Sequence, residues 1–287
     1  IDPYLSYRLI EPGYEVWHEV EIRERCVENF EERALSDWQN TGNSCMNCHI
    51  HSQARADLSM FYVRGKNGGA FLNRNGELRK LALNSEKMVS GTVYGEIHPS
   101  GRYGVFSSNI IIPGFHTQGS RRLEVYDTES DLVIVDFDEN GLSVPQALAR
   151  KDVLETFPVF SADGKSIYYC AADTLALPRE IEKLRYSLMR IAFDENTGRI
   201  GQEAEIVWDA SEHKASVCHP KCSPDGKWIM YTVADYGTFP IWHSECQLEM
   251  MNLHTGEIVN MDVVNSDRSD TYHSWSSDSR WFVFASK

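Results

Sequence analysis

The sequence predicts an all-β protein built as a β-propeller and preceded by a partly helical N-terminal segment. Three observations carry this: one hairpin design that recurs four times, further strand pairs between its copies, and a change of texture near residue 60. The chain divides into residues 1–59, with a helix and a Cys-x-x-Cys-His motif, and residues 60–287, with the blades.

In the first region, residues 16–22 mix apolar and acidic side chains. Val27, Phe30, Ala34 and Leu35 fall near helical spacing among Glu and Arg, which predicts a helix over 23–38. Thr41-Gly42-Asn43-Ser44 breaks it and leads into Cys45-Met46-Asn47-Cys48-His49. Beyond residue 60 the pattern is β. A weak first blade is visible at 61–64 and 70–72, and four clear hairpins follow over 98–107, 160–169, 222–231 and 275–284. Their turn positions, Gly101, Gly164, Gly226 and Ser279, recur after 63, 62 and 53 residues. In these turns Gly accepts positive φ and Asp bonds the local backbone. The aromatic and β-branched residues that follow suit a half-buried strand. Between the hairpins lie second strand pairs: Arg122–Asp127 is followed by Leu132–Asp136, and Ser187–Phe193 and Leu248–Leu253 play the same part, each followed by a turn. A repeating unit of about four strands is the signature of a propeller blade. Residues 178–184 read as a short helical insertion. The strand pattern at 281–287 stops without a turn, so further natural sequence is expected after Lys287, and the absence of an initiator Met or signal peptide fits a mature form or an excised piece of a longer chain.

A formal charge of −14 argues against nucleic acid and against anionic lipid, since both need clustered Lys and Arg. It serves solubility, or steers a basic partner. No run of 18 apolar residues exists, so no transmembrane segment is predicted. Gly-x-Ser-x-Gly, His-Glu-x-x-His and phosphate-binding glycine loops are all missing, so no catalytic constellation is visible.

The chemistry lies in Cys45-Met46-Asn47-Cys48-His49. Two cysteines separated by two residues and followed by histidine form the attachment motif of haem c: both thiols add to the porphyrin vinyls and His49 ligates the iron. The alternatives are a redox or disulfide pair, and a zinc site sharing His49 or His51. Met60, 11 residues after His49, is the first candidate for the second axial position, and a packing residue otherwise. His98, His116 and His273 can reach it only from the blades, and read first as turn or hydrogen-bonding residues. Cys218-His219-Pro220-Lys221-Cys222 offers two thiolates and an imidazole as zinc ligands, or two thiols on one side of a strand. With seven cysteines, not all can pair within the chain.

These residues also carry a resemblance. The Ser-Pro-Asp-Gly-Lys hairpin at 223–227 resembles the repeat of TolB-like six-bladed propellers. Residues 7–15, Glu28-Asn29-Phe30-Glu31-Glu32, Cys45 to His49, Arg64-Gly65-Lys66-Asn67-Gly68-Gly69, Tyr272-His273-Ser274-Trp275-Ser276 and 279–284 resemble a Bacteroidetes type of that family that carries the Cys-x-x-Cys-His motif. The resemblance implies a TolB-like propeller, and covalent haem attachment implies a periplasmic or cell-envelope location. Two functions follow as expectations: electron transfer or redox sensing with a redox partner, or a haem-free scaffold for a protein or glycan with the Cys-x-x-Cys pair as a disulfide or metal staple.

Overall fold

Each recurring hairpin folds as the first two strands of an antiparallel sheet. The computed structural model describes residues 2–10, 19–37, 39, 41–65, 68–116 and 123–287. Residues 11–18, Trp38, Lys66 and Asn67, which figure in the motifs above, lie outside the described residues.

The first sheet joins β1 (Tyr4–Ile10), β2 (Val20–Cys26) and β3 (Glu32–Ser36). A four-strand sheet follows, built from β4 (Met46–His51), β5 (Leu58–Val63), β6 (Gly69–Arg74) and β7 (Glu77–Leu81). The next holds β8 (Thr92–Ile97), β9 (Tyr103–Phe115), β10 (Leu123–Asp136) and β11 (Gly141–Ser143). Then come β12 (Val153–Phe160), β13 (Ser166–Asp173), β14 (Ser187–Asp194) and β15 (Arg199–Trp208). The last four-strand sheet is β16 (Ser216–Cys222), β17 (Trp228–Ala234), β18 (Gln247–Asn252) and β19 (Ile258–Val259). β20 (Asp270–Trp275) and β21 (Phe282–Ser286) pair as a two-strand sheet. Short 3-10 turns sit at Ile181–Lys183, within the predicted insertion, and at Pro240–Trp242.

The helix expected over 23–38 is absent; the described part of that segment is the hairpin β2–β3. Val20, Ile22 and Cys26 are buried on one face of β2, a strand alternation that the near-helical spacing of Val27, Phe30 and Leu35 masks. The charges that suggest helical pairs instead pair across strands: Arg25 with Glu32 at 2.7 Å and Arg33 with Glu24 at 2.6 Å. Phe30, at φ 62°, is exposed in the turn, with its amide bonded to the Cys26 carbonyl. The sheet of β4 to β7 begins at Met46, so the Cys-x-x-Cys-His motif leads into and lies on a blade strand.

The core is a series of layers between adjacent sheets. Val20, Ile22, Met46 and Val63 join the N-terminal sheet to the first blade. Leu58, Leu72, Phe106 and Phe137 fill the next layer, and Val105, Phe160, Tyr169 and Ile191 the one after. Trp208, Tyr186 and Tyr231 dominate the layer between the sheets of β12 and β16. Ser277 donates its amide to Asp2 at 2.7 Å, which brings the last hairpin to the N-terminal strand.

The turn chemistry repeats atom for atom. Ser161 Oγ donates to Asp163 at 2.7 Å, and Asp163 accepts from the Lys165 amide at 3.0 Å. Ser223 with Asp225 and Lys227 makes the same bonds, as does Ser276 with Asp278 and Arg280. Gly164 and Gly226 both have left-handed φ, 71° and 72°. They differ in surroundings: a Cβ on Gly164 meets the His98 ring at 2.2 Å, whereas one on Gly226 meets only Ala162 at 3.5 Å. Gly226→Ala is therefore expected to cost about 1 kcal/mol from backbone strain alone, and Gly164→Ala at least twice that. Denaturant unfolding of both variants checks this, and equal costs would show that His98 does not confine the turn.

Candidate functional site

The first strands of the five blade sheets, β4, β8, β12, β16 and β20, line a common axis, and all five carry the same irregularity. In β4 the register passes from Asn47 opposite Tyr62 to Ile50 opposite Met60, which leaves Cys48 and His49 facing the single residue Phe61. The same two-against-one bulge places Val93-Tyr94, Phe157-Pro158, His219-Pro220 and Tyr272-His273 in the other sheets. Phe157, His219 and Tyr272 adopt left-handed φ of 49°, 49° and 51°.

The bulges form an aromatic tier. Ring centroids are 4.3 Å apart for Tyr94 and Phe157, 4.3 Å for Phe157 and His219, and 4.7 Å for His219 and Tyr272. Phe239, from the connection after β17, approaches Tyr94 and Phe157 at 6.3 and 6.4 Å. One step along these strands, Lys221 of β16 forms an ion pair with buried Glu96 of β8, passing over the sheet between them. Gln53 donates to the Cys222 carbonyl at 3.4 Å, and Trp275 Nε1 to the Lys221 carbonyl at 3.0 Å. Side chains from different blades therefore meet across the axis.

The tier is also tied down from one end. The long β9–β10 hairpin docks on the β17–β18 connection through Glu124, which accepts from His243 Nε2 at 2.9 Å and Tyr236 Oη at 3.0 Å. Burial pulls the His243 imidazole down, but its bonds to Glu124 and Glu245 outweigh this and hold its pKa above the usual histidine value.

The residues singled out from sequence fall as follows. Cys45 is half-buried, with its thiol 3.8 Å from the Met46 carbonyl. The Cys48 side chain lies outside the described residues. His49 is half-buried and its pKa is lowered by burial, then by His51, while a hydrogen bond to the Ser6 backbone works the other way. His51 Nε2 meets Ser6 Oγ at 2.8 Å, and the two imidazoles stand 6.4 Å apart. Met60 is buried between the first two blades, in one cluster with Leu58, Leu72 and Ile97. Cys218 and Cys222 are both buried in the aromatic layer, while His219 belongs to the axial tier with Nδ1 3.1 Å from Thr271 Oγ1. Among the described residues, no group of three or more His, Cys, Asp or Glu side chains could hold a metal ion. His98 bonds the Gly164 carbonyl at 3.0 Å, His116 meets Glu124 at 3.3 Å, and His273 donates to the Met230 carbonyl at 2.9 Å. The axial tier does have a sequence signal: Tyr94, Phe157, His219 and Tyr272 each stand seven residues before a turn position.

Solved structures of similar shape identify the architecture. TolB from Acinetobacter baumannii superposes with a TM-score of 0.63 at 12% identity, covering 99% of this chain and 58% of that one. A Mycobacterium tuberculosis puromycin-hydrolyzing peptidase gives 0.52 at 8% identity, covering 96% and 38%. The Pyrococcus horikoshii acylaminoacyl peptidase gives 0.51 at 10% identity, covering 96% and 40%. The fold is thus the TolB-type propeller, and the chain spans 58% of the length of that TolB. No protein-family model and no curated protein sequence matches the chain. Among the described residues, no helix is long and apolar enough to cross a membrane.

Burial lowers His219 to a pKa of about 3 and His273 to about 4, well below the unfolded value of about 6.5. Each folded imidazole then binds fewer protons than its unfolded counterpart, so stability declines as pH falls below about 6.5. His219→Phe, which keeps the ring, is expected to reduce the slope of unfolding free energy between pH 6 and 4.5 by about 1.4 kcal/mol per pH unit. Denaturant titrations across that range measure it, and an unchanged slope would mean that native His219 is protonated.

Proposed function

We propose that this chain is a haem-free, extracytoplasmic propeller scaffold that docks a protein partner with a basic surface. The observation that carries this is the axis crossed by side chains from different blades, with the aromatic tier next to the Lys221–Glu96 pair. Such an axis leaves the outer faces for recognition, and propeller folds host many kinds of it. Phe115 is 74% exposed and Ile112 38% exposed on the long hairpin, which supports the hairpin end as the docking face. The charge of −14 supports a basic partner.

One observation favours haem c as a second reading. The His49 imidazole hydrogen-bonds the Ser6 backbone, the outer-shell arrangement that orients a ligating imidazole, and burial lowers its pKa against that bond. In that reading Cys45 and Cys48 hold the porphyrin, His49 ligates the iron, and the chain serves electron transfer or redox sensing.

One preparation separates the two. The protein is exported in a host that co-expresses cytochrome c maturation proteins, and a pyridine haemochrome spectrum is taken. The scaffold reading expects no covalent haem. A haemochrome band that survives acid-acetone extraction and disappears in the Cys45→Ala, Cys48→Ala variant would overturn it. Photo-crosslinkers at positions 112 and 115 are expected to trap a basic protein in a salt-sensitive way, and crosslinkers at 163 and 225, in the turns at the other end of the strands, are not. Equal trapping at both ends would place docking elsewhere.

A further inference from the structure

Between the blades of β8–β11 and β12–β15 lies a buried polar cluster that neither reading uses, and Tyr186 of the neighbouring aromatic layer is within electrostatic reach of it. Asp127 is fully buried. One carboxylate oxygen accepts from Asn109 Nδ2 at 3.0 Å, and Asn109 Nδ2 also donates to Thr156 Oγ1 at 3.1 Å. The second Asp127 oxygen has no hydrogen-bond partner, nor have Asn109 Oδ1, Ser130 Oγ and Tyr186 Oη. All four residues are more than nine-tenths buried. Asn109 and Ser130 are directly opposite in the β9–β10 register, so their side chains share a face. The Asp127 charge also acts on the Tyr186 phenol.

Four unpartnered buried oxygens, three of them on the paired strands β9 and β10, are an uncommon cost for a folded chain. One carries a formal charge when ionised and the other three are neutral. No Lys or Arg acts on Asp127, and burial pushes its carboxyl up to about 7 despite the Asn109 bond. Oxygen donors without nitrogen or sulfur suit a hard cation rather than zinc or copper. A single carboxylate balances one positive charge.

We propose that Asp127, Asn109, Ser130 and Tyr186 form a buried site for a monovalent alkali cation that ties the two blades together. Occupation satisfies the orphaned oxygens and lets Asp127 ionise without an unpaired buried charge. The site is independent of the haem motif and of the docking face.

The test is thermal unfolding of the full chain in NaCl, KCl or choline chloride at equal ionic strength. Sodium or potassium is expected to raise the midpoint saturably by about 3 °C over choline, as one-site linkage requires. Asp127→Asn keeps the shape and removes the charge, and is expected to abolish that increment while still unfolding cooperatively in choline. Crystals soaked in thallium or rubidium should show an anomalous peak within bonding distance of Asp127 Oδ1. Equal midpoints in all three salts would overturn the proposal, as would an increment that survives in Asp127→Asn. A non-anomalous peak at the site would assign it to ordered water and overturn the proposal equally.

Discussion

Five first strands pack in succession around one axis, and each is interrupted there by a two-against-one bulge. The bulge brings side chains into the space between them. By setting two residues against one, it turns a side chain of β12, β16 or β20 into the gap at the expense of a left-handed φ at Phe157, His219 or Tyr272. Such strain persists only where the surroundings over-determine it, and here the ring contacts at 4.3 to 4.7 Å do so. The same convergence brings Lys221 to Glu96. Removing either partner leaves a charge facing a poorly solvated interior, so the pair fixes blade geometry more than it adds net stability.

The parts of the fold legible in the sequence were those set by local chemistry. Ser161-Ala162-Asp163-Gly164-Lys165 closes its own hydrogen bonds within five residues, and its copies at Ser223 and Ser276 do the same, so the hairpins could be read without any partner. The N-terminal sheet was not legible for the opposite reason. Glu24 and Arg33 pair across β2 and β3, yet in sequence they are simply charges in an acidic and basic run that a helix would tolerate equally well. Apolar spacing over so short a stretch does not separate the two periods. The Lys221–Glu96 pair lies further from sequence still, because its partners are 125 positions apart and nothing local to either names the other.

Layers between blades differ in kind, and the difference follows from which face of each strand is apolar. The layer around Trp208, Tyr186 and Tyr231 is aromatic and buries Cys170, Cys218 and Cys222 as small apolar side chains. Burial pushes all three of these thiols up, which removes thiolate character and with it the ease of binding metal. The two thiols lie in the layer, whereas the bulge sends the imidazole to the axis. The layer around Asp127, Asn109 and Thr156 is polar, and there each group must find a partner or a ligand.

The same reasoning bears on the motif at the head of the first blade. Cys48-His49 occupies the bulge that His219-Pro220 and Tyr272-His273 occupy in later blades. A histidine recurs at this step for architectural reasons: His219 fills the axis with Nδ1 near Thr271, and His273 bonds a strand carbonyl. Spacing that is diagnostic when it stands alone therefore loses force when the fold already requires a two-residue interruption at that place. What remains specific to the first blade is Cys45, three residues before the bulge, because the later blades have Ser90, Leu154, Ser216 and Ser269 at the corresponding position. The chemical claim of the motif thus rests on the Cys45 thiol rather than on the Cys48-His49 pair.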